Sequence, residues 1–175
     1  MHSWEWPDHP WARIHMDYAG PVKEKMFLVV ADSHSKWIEA PVVNSSTSQA
    51  TIEKLQLIFS THGLPEVIMS DNGSAFTSEE FDAFVRGNGI KHLTSAPYHP
   101  ASNGLAERAI QTVKKARRKD SGEASLETQI SRILFRYRIT PHHTTGVAPA
   151  QLLMGRRALD VDVPPPEFHR SVQDR

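Results

Sequence analysis

The chain contains no cysteine, which excludes disulfides, thiolate zinc sites and a thiol nucleophile. It fits an intracellular setting without demanding one. No apolar run approaches the ~18 residues needed to cross a membrane, and no signal peptide is visible. Excess charge of either sign is also missing, since 20 Lys and Arg balance 20 Asp and Glu. Ten histidines are scattered without an H-E-x-x-H pattern, so they read as surface or loop residues rather than a zinc site. There is no internal repeat. What remains is 175 residues, enough for one ordinary domain with a sizeable core.

Zero net charge at first argues against a nucleic-acid partner, but the total conceals a gradient. Residues 1–100 carry 7 Lys and Arg against 12 Asp and Glu, whereas residues 101–175 carry 13 against 8. Six of those 13 lie between Arg108 and Lys119. A local basic stripe is the footprint that phosphate binding leaves, although a merely solubilising helix face has the same composition.

Residues 1–11, Pro- and Trp-rich and without a period, read as an extended N-terminal arm. Arg13 to Ala19 alternates as a strand, with Ile14, Met16 and Tyr18 on one face and His15 and Asp17 on the other, and Gly20-Pro21 is expected to end it. Asp17 then sits near a strand end. Met26 to Ala31 is a continuous apolar run suited to a strand buried on both faces. After a turn at Asp32 to Ser35, Lys36 to Val43 reads as its antiparallel partner. Ser46-x-x-Gln49 fits a capping box for a helix carrying Ile52, Leu55, Leu57, Ile58 and Phe59, stopped before Gly63-Leu64-Pro65.

A short strand from Glu66 to Ser70 runs straight into Asp71-Asn72-Gly73. An aspartate at a strand's carboxyl end is where an open α/β sheet places chemistry, while D-N-G alone is equally satisfied by an ordinary turn. Thr77-x-x-Glu80 reads as a second capping box, for a helix through Phe81, Phe84 and Val85 to Gly87, and Ile90 to Thr94 reads as a fifth strand. Ser125 caps a helix whose Leu126, Ile130, Ile133, Leu134 and Tyr137 form a core stripe, Pro141 stops it, and a shorter helix runs from Ala148 to Met154. Residues 160–175 are Pro-rich and charged, a tail or linker. The order gives an α/β fold: a mixed five-stranded sheet, three antiparallel strands then two parallel, with helices on both faces.

The stretch from Ser95 to Lys119 opens as a Pro/Gly-punctuated loop and closes as a helix. At 100° per residue, Glu107, Gln111, Lys114 and Arg118 fall within an arc of about 60°. Asn103, Arg108 and Lys115 flank it, and Leu105, Ala106, Ala109, Ile110, Val113 and Ala116 fill the rest, with Arg117 as the exception. The helix is therefore pinned by its apolar side and presents an acid and several cations to something polar. Taken alone, Glu107 could be a solvated surface glutamate, but its spacing fits a capping box badly.

Asp17, Asp71 and Glu107 form a set. Two carboxylates come from strands that can be neighbours, and the third from a helix that can begin beside the same sheet edge. Three acids without built-in Lys or Arg partners repel one another and need bound cations. Hard oxygen donors select Mg²⁺ or Mn²⁺, and two such ions about 3.5–4 Å apart clamp an in-line phosphoryl displacement.

His15-Met16-Asp17-Tyr18-Ala19-Gly20-Pro21, Ser70-Asp71-Asn72-Gly73 with Phe76, and Tyr98-His99-Pro100-Ala101-Ser102-Asn103-Gly104 leading to Glu107-Arg108 closely resemble the catalytic core of retroviral-type integrases. The resemblance is nearest to integrases of gypsy-like LTR retrotransposons. Thirty-five residues separate Asp71 from Glu107, the family's D,D-35-E pattern. The likeness covers roughly Pro10 to Leu159, so residues 12–159 are read as the catalytic core. It implies an RNase H-like fold and two reactions at one site: metal-activated water trims a retroelement DNA end, and the freed 3′-hydroxyl attacks target DNA. It further implies that Asp17 bridges two Mg²⁺ or Mn²⁺ ions, that Asp71 binds one and that Glu107 binds the other. Tyr98 and Asn103 match positions that approach the DNA end, and Gln111 and Lys114 the phosphate-facing side of the helix. With Lys115 and Arg118 they make up the expected DNA-binding set.

The resemblance also implies a homodimer or higher oligomer and a nuclear site of action after a cytoplasmic stage. No membrane or disulfide partner is expected. The N-terminal zinc domain and C-terminal DNA- or chromatin-binding domain of the family's full enzyme are not seen, so an isolated core or fragment is expected. Ala101 stands where glutamine is common in the loop. A domesticated, non-catalytic remnant that binds DNA or protein is the competing reading, and a related RNase H-type nuclease is a third.

Overall fold

The computed structural model describes residues 6–22, 24–94, 111 and 124–156. Six strands form one sheet: β1 (Arg13–Val22), β2 (Lys25–Asp32), β3 (Ile38–Glu39), β4 (Val42–Val43), β5 (Val67–Ser70) and β6 (Lys91–Thr94). The order is β3-β2-β1-β5-β6, with β4 also paired to β2. β1, β2, β3 and β4 pair antiparallel, and β5 and β6 are added in parallel. The helices described are α1 (Ser48–His62), α2 (Ser74–Thr77), α3 (Glu79–Gly87), α4 (Leu126–Ile139) and α5 (Pro149–Met154). None is long and apolar enough to span a membrane.

Alternation along the strands divides the core in two. Ile14, Met16, Leu28, Val30 and Ile68 pack under Leu55, Ile58 and Phe59 of α1 and Phe81 and Val85 of α3. Ala19, Phe27, Val29, Ala31 and Ile38 point the other way, onto Leu126, Ile130 and Leu134 of α4. The expected mixed sheet with helices on both faces is thus observed. Both faces of β2 are covered, which explains its unbroken apolar run. Each fully buried Ile or Leu contributes roughly 1.5–3 kcal/mol.

Several local expectations are corrected. Gly20-Pro21 does not end β1: the pairing with β2 shifts register between Ala19 and Val22, and the strand resumes at Val22 opposite Lys25. A bulge tolerates a proline that a regular ladder would not. Asp17 therefore lies within β1, opposite Val29, and not near its end. The third strand is broken into β3 and β4 around Pro41, which has no N–H to give; its carbonyl accepts from the Leu28 amide at 3.1 Å. The expected five strands become six segments.

Neither expected capping box forms; each helix instead has a simple N-cap one residue further on, with Ala50 and Phe81 at the third helical position. Thr47, not Ser46, caps α1 by accepting from the Ala50 amide, and Ser78, not Thr77, caps α3 by accepting from Phe81. One helical turn, α2, was not expected at all. Ser125 caps α4 as read from the sequence. Trp11, counted with the arm, is a core residue whose indole donates to the Gly63 carbonyl at 2.9 Å.

Candidate active site

The parallel pairing of β1 with β5 decides where the first two acids stand. Arg13, Ile14 and His15 lie opposite Val67, Ile68 and Met69. Carried two residues further, the same register sets Asp17 level with Asp71, on strands about 4.8 Å apart. β5 ends at Ser70, so Asp71 begins the turn while Asp17 is still held in the ladder. On the far side of β5, Ser70 pairs with Thr94, the last residue of β6. The chain therefore leaves β6 at the sheet edge where Asp71 lies, heading into the segment that carries Glu107.

Each aspartate is oriented by backbone amides. Asp17 Oδ1 accepts from the Tyr18 N–H at 2.7 Å. Asp71 Oδ1 accepts from the Gly73 N–H at 2.9 Å, closing the D-N-G turn on its own carboxylate. A Cβ on Gly73 would lie 2.9 Å from that oxygen, so any side chain there would push the carboxylate from its place. Among the described residues, Asp71 has no Lys, Arg or His ion-pair partner.

Contacts that the sequence did not disclose join the motifs. The Tyr18 ring stacks on Phe76, centroids 5.5 Å apart and 15° from parallel, so the residue after one aspartate packs on the phenylalanine that follows the other. Thr51 spends its hydroxyl proton on the Thr47 carbonyl, so Tyr18, 2.6 Å away, must donate to Thr51 Oγ1. Burial pushes the Tyr18 phenol above its ordinary range, against the opposing effect of Thr51, which keeps that proton in place. Ser70 Oγ lies 2.9 Å from the Asp71 carbonyl and 2.8 Å from His92 Nε2. Burial lowers the His92 pKa, partly opposed by Asp82, and its ring meets the edge of buried Phe81 at 5.2 Å.

Among the described residues no group of three or more His, Cys, Asp or Glu side chains is placed to hold a metal ion. Asp17 and Asp71 supply hard carboxylate oxygens, the donor type that suits Mg²⁺ or Mn²⁺. Glu107, Tyr98, Asn103, Lys114, Lys115 and Arg118 lie outside the described residues. Gln111 is helical and exposed.

The family model of the integrase core domain matches residues 7–100, from before β1 to beyond the end of β6. This chain belongs to the integrase core family. An uncharacterized protein of Caenorhabditis elegans is 43% identical over 159 residues, which is 90% of this chain and 12% of that protein. The Pol polyprotein of feline endogenous virus ECE1 is 37% identical over 142 residues, 79% of this chain and 13% of the polyprotein. The chain thus spans about an eighth of the length of these two relatives. The HTLV-2 integrase catalytic core, solved with magnesium in a trimeric form, superposes with a TM-score of 0.72 at 25% identity, covering 83% of this chain and 98% of that one. Its dimeric form gives 0.70 at 26%, covering 83% and 97%. The RNase H-like architecture expected from the sequence is therefore the fold of this chain.

Proposed function

We propose that this integrase core carries out metal-dependent polynucleotidyl transfer on DNA, trimming the 3′ ends of a retroelement and joining them to target DNA. The observation that supports the reading is the β1–β5 register, which, extended two residues past its last pair, brings Asp17 level with Asp71 near the edge where the chain leaves β6. Asp17 would be shared by two Mg²⁺ or Mn²⁺ ions, with Asp71 on one and Glu107 on the other. The pair, when bound, supplies activation of the attacking oxygen and stabilisation of the leaving oxygen. The protein's own share is positioning. The Tyr18 and Gly73 amides fix the two carboxylates, and the Tyr18–Phe76 stack ties β1 to α2, the helical turn that follows Asp71.

Tyr98 and Asn103 are assigned to the DNA end, and Gln111, Lys114, Lys115 and Arg118 to its phosphates. Lys114→Ala is expected to weaken binding evenly across DNA sequences and to reduce the salt slope by about 1. An unchanged slope would take Lys114 off the DNA. Two DNA ends must be joined together, which calls for a homodimer or higher assembly acting on chromosomal DNA in the nucleus.

The test is joining of a pre-trimmed duplex in Mn²⁺ by the chain and by its Asp17→Asn, Asp71→Asn and Glu107→Gln variants. Loss of joining in each folded variant supports the proposal, and retained joining in one removes that residue from the site. A wild-type chain that binds DNA but neither nicks nor joins it would be a non-catalytic remnant.

A further inference from the structure

We infer that His92 is a positioning residue for Asp71, acting through Ser70. Its consequence for catalysis rests on the reading of Asp71 as a metal ligand. Its structural basis does not.

The direction of the hydrogen bonds follows from counting protons. Ser70 Oγ donates to the Asp71 carbonyl, which can only accept, and a hydroxyl has one proton to give. The 2.8 Å contact to His92 must then run from Nε2–H to Ser70 Oγ. The result is a one-way relay: His92 Nε2–H to Ser70 Oγ–H to the Asp71 carbonyl. It ends on the residue whose carboxylate is fixed at its other end by Gly73.

The relay is built into the sheet. Ile68 pairs with His92 and Ser70 with Thr94, so Ser70 and His92 are diagonal neighbours on one face of the parallel β5–β6 pair. Ser70 is 3% exposed, and the His92 ring is backed by Phe81, which is fully buried. Water therefore competes poorly for the serine hydroxyl. Without the histidine donor, the serine hydroxyl is held less firmly against the Asp71 carbonyl, and one of the hydrogen bonds that fix Asp71 at the start of the D-N-G turn is weakened. Groups that orient a ligand from behind are typically worth 10–100-fold in metal affinity.

The experiment compares His92→Phe, which keeps the ring but has no donor, with His92→Gln, whose amide nitrogen can take the place of Nε2. Ser70→Ala removes the relay's middle. Amide hydrogen exchange at Gly73 is measured on metal-free protein, and the Mn²⁺ concentration for half-maximal joining on the same preparations. His92→Phe and Ser70→Ala are expected to speed Gly73 exchange about fivefold and to raise the Mn²⁺ requirement about tenfold. His92→Gln should return both to within about twofold of wild type.

Unchanged Gly73 exchange in His92→Phe and Ser70→Ala would overturn the inference. So would a Gln variant as impaired as the Phe variant, because packing of the imidazole rather than its donated proton would then be responsible. A wild-type chain that joins no DNA would sink the proposed function, while Gly73 exchange would still decide the relay.

Discussion

Two acidic side chains at opposite sides of the sheet are held in different ways. Glu39, on outer strand β3, is neutralised by the fold. Its Oε1 accepts from Trp37 Nε1 and His62 Nε2, both at 2.8 Å, and its Oε2 from Arg138 at 2.9 Å. Arg138 also donates to the Ile38 carbonyl and lies 4.0 Å above the Trp37 ring. Burial alone would raise the Glu39 pKa, but the His62 hydrogen bond, the Arg138 charge and the Trp37 indole together hold it below the usual carboxylate range. Asp71, past the end of β5, has a Gly73 amide and no cation among the described residues. An acid that ties α1 and α4 to β3 is charge-paired from within. An acid oriented by neutral N–H groups alone keeps its charge for something that arrives from outside.

This contrast can be broken by exchanging the expected effects. Asp71→Asn keeps the side chain's shape and its acceptor for Gly73, so joining should fall by about a thousandfold or more, with stability within about 0.5 kcal/mol of wild type. Loss of stability comparable to the loss of activity would make Asp71 structural after all.

Glu39→Gln should do the reverse, costing about 2 kcal/mol at neutral pH by setting an amide against His62 and Arg138, with joining by the folded protein unchanged. The pH dependence has a definite sign. Because the folded pKa is depressed, the stabilisation is complete above the ordinary glutamate value of about 4.3 and is lost as pH falls through the lowered folded value. The gap in urea midpoint between wild type and Glu39→Gln should therefore close in acid. A gap that persists at about pH 2 would trace the effect to packing instead of charge.

Gly73→Ala sharpens the comparison with the smallest change. Backbone strain is not involved, since Gly73 has φ −57. The added methyl crowds the Asp71 carboxylate oxygen at 2.9 Å and makes only an ordinary contact with the Phe76 ring at 3.5 Å, so the Mn²⁺ requirement should rise about tenfold while the melting temperature stays put. An unaltered Mn²⁺ requirement would show that the carboxylate can work from another position.

Much of this was legible in the sequence because it depends on period and order. The two-residue alternation of β1, the solid apolar run of β2 and the i, i+4, i+8 stripe of Leu126, Ile130 and Leu134 each specify a face without reference to the rest of the chain. Helix starts were less legible where hydroxyl residues crowd together. Ser45, Ser46, Thr47 and Ser48 all qualify as caps by composition, and the choice falls to the side chain that reaches an N3 amide once Ser48 is bonded to Ser78 at 2.6 Å. Pairings across long stretches of chain left no local trace. Nothing in the sequence near Trp37 announces Arg138, about a hundred residues away. Ser70 and His92 are likewise ordinary strand residues until β5 and β6 are set side by side.

The shared register of β1 and β5 constrains how such a chain can vary. Adding or removing one residue within 13–17 or 67–71 would turn buried groups outward and move one aspartate away from the other in a single step. A change of length around exposed Leu64 would be absorbed by the loop. A frame slip in either strand would therefore damage the core and the site together, whereas a substitution acts at one position only.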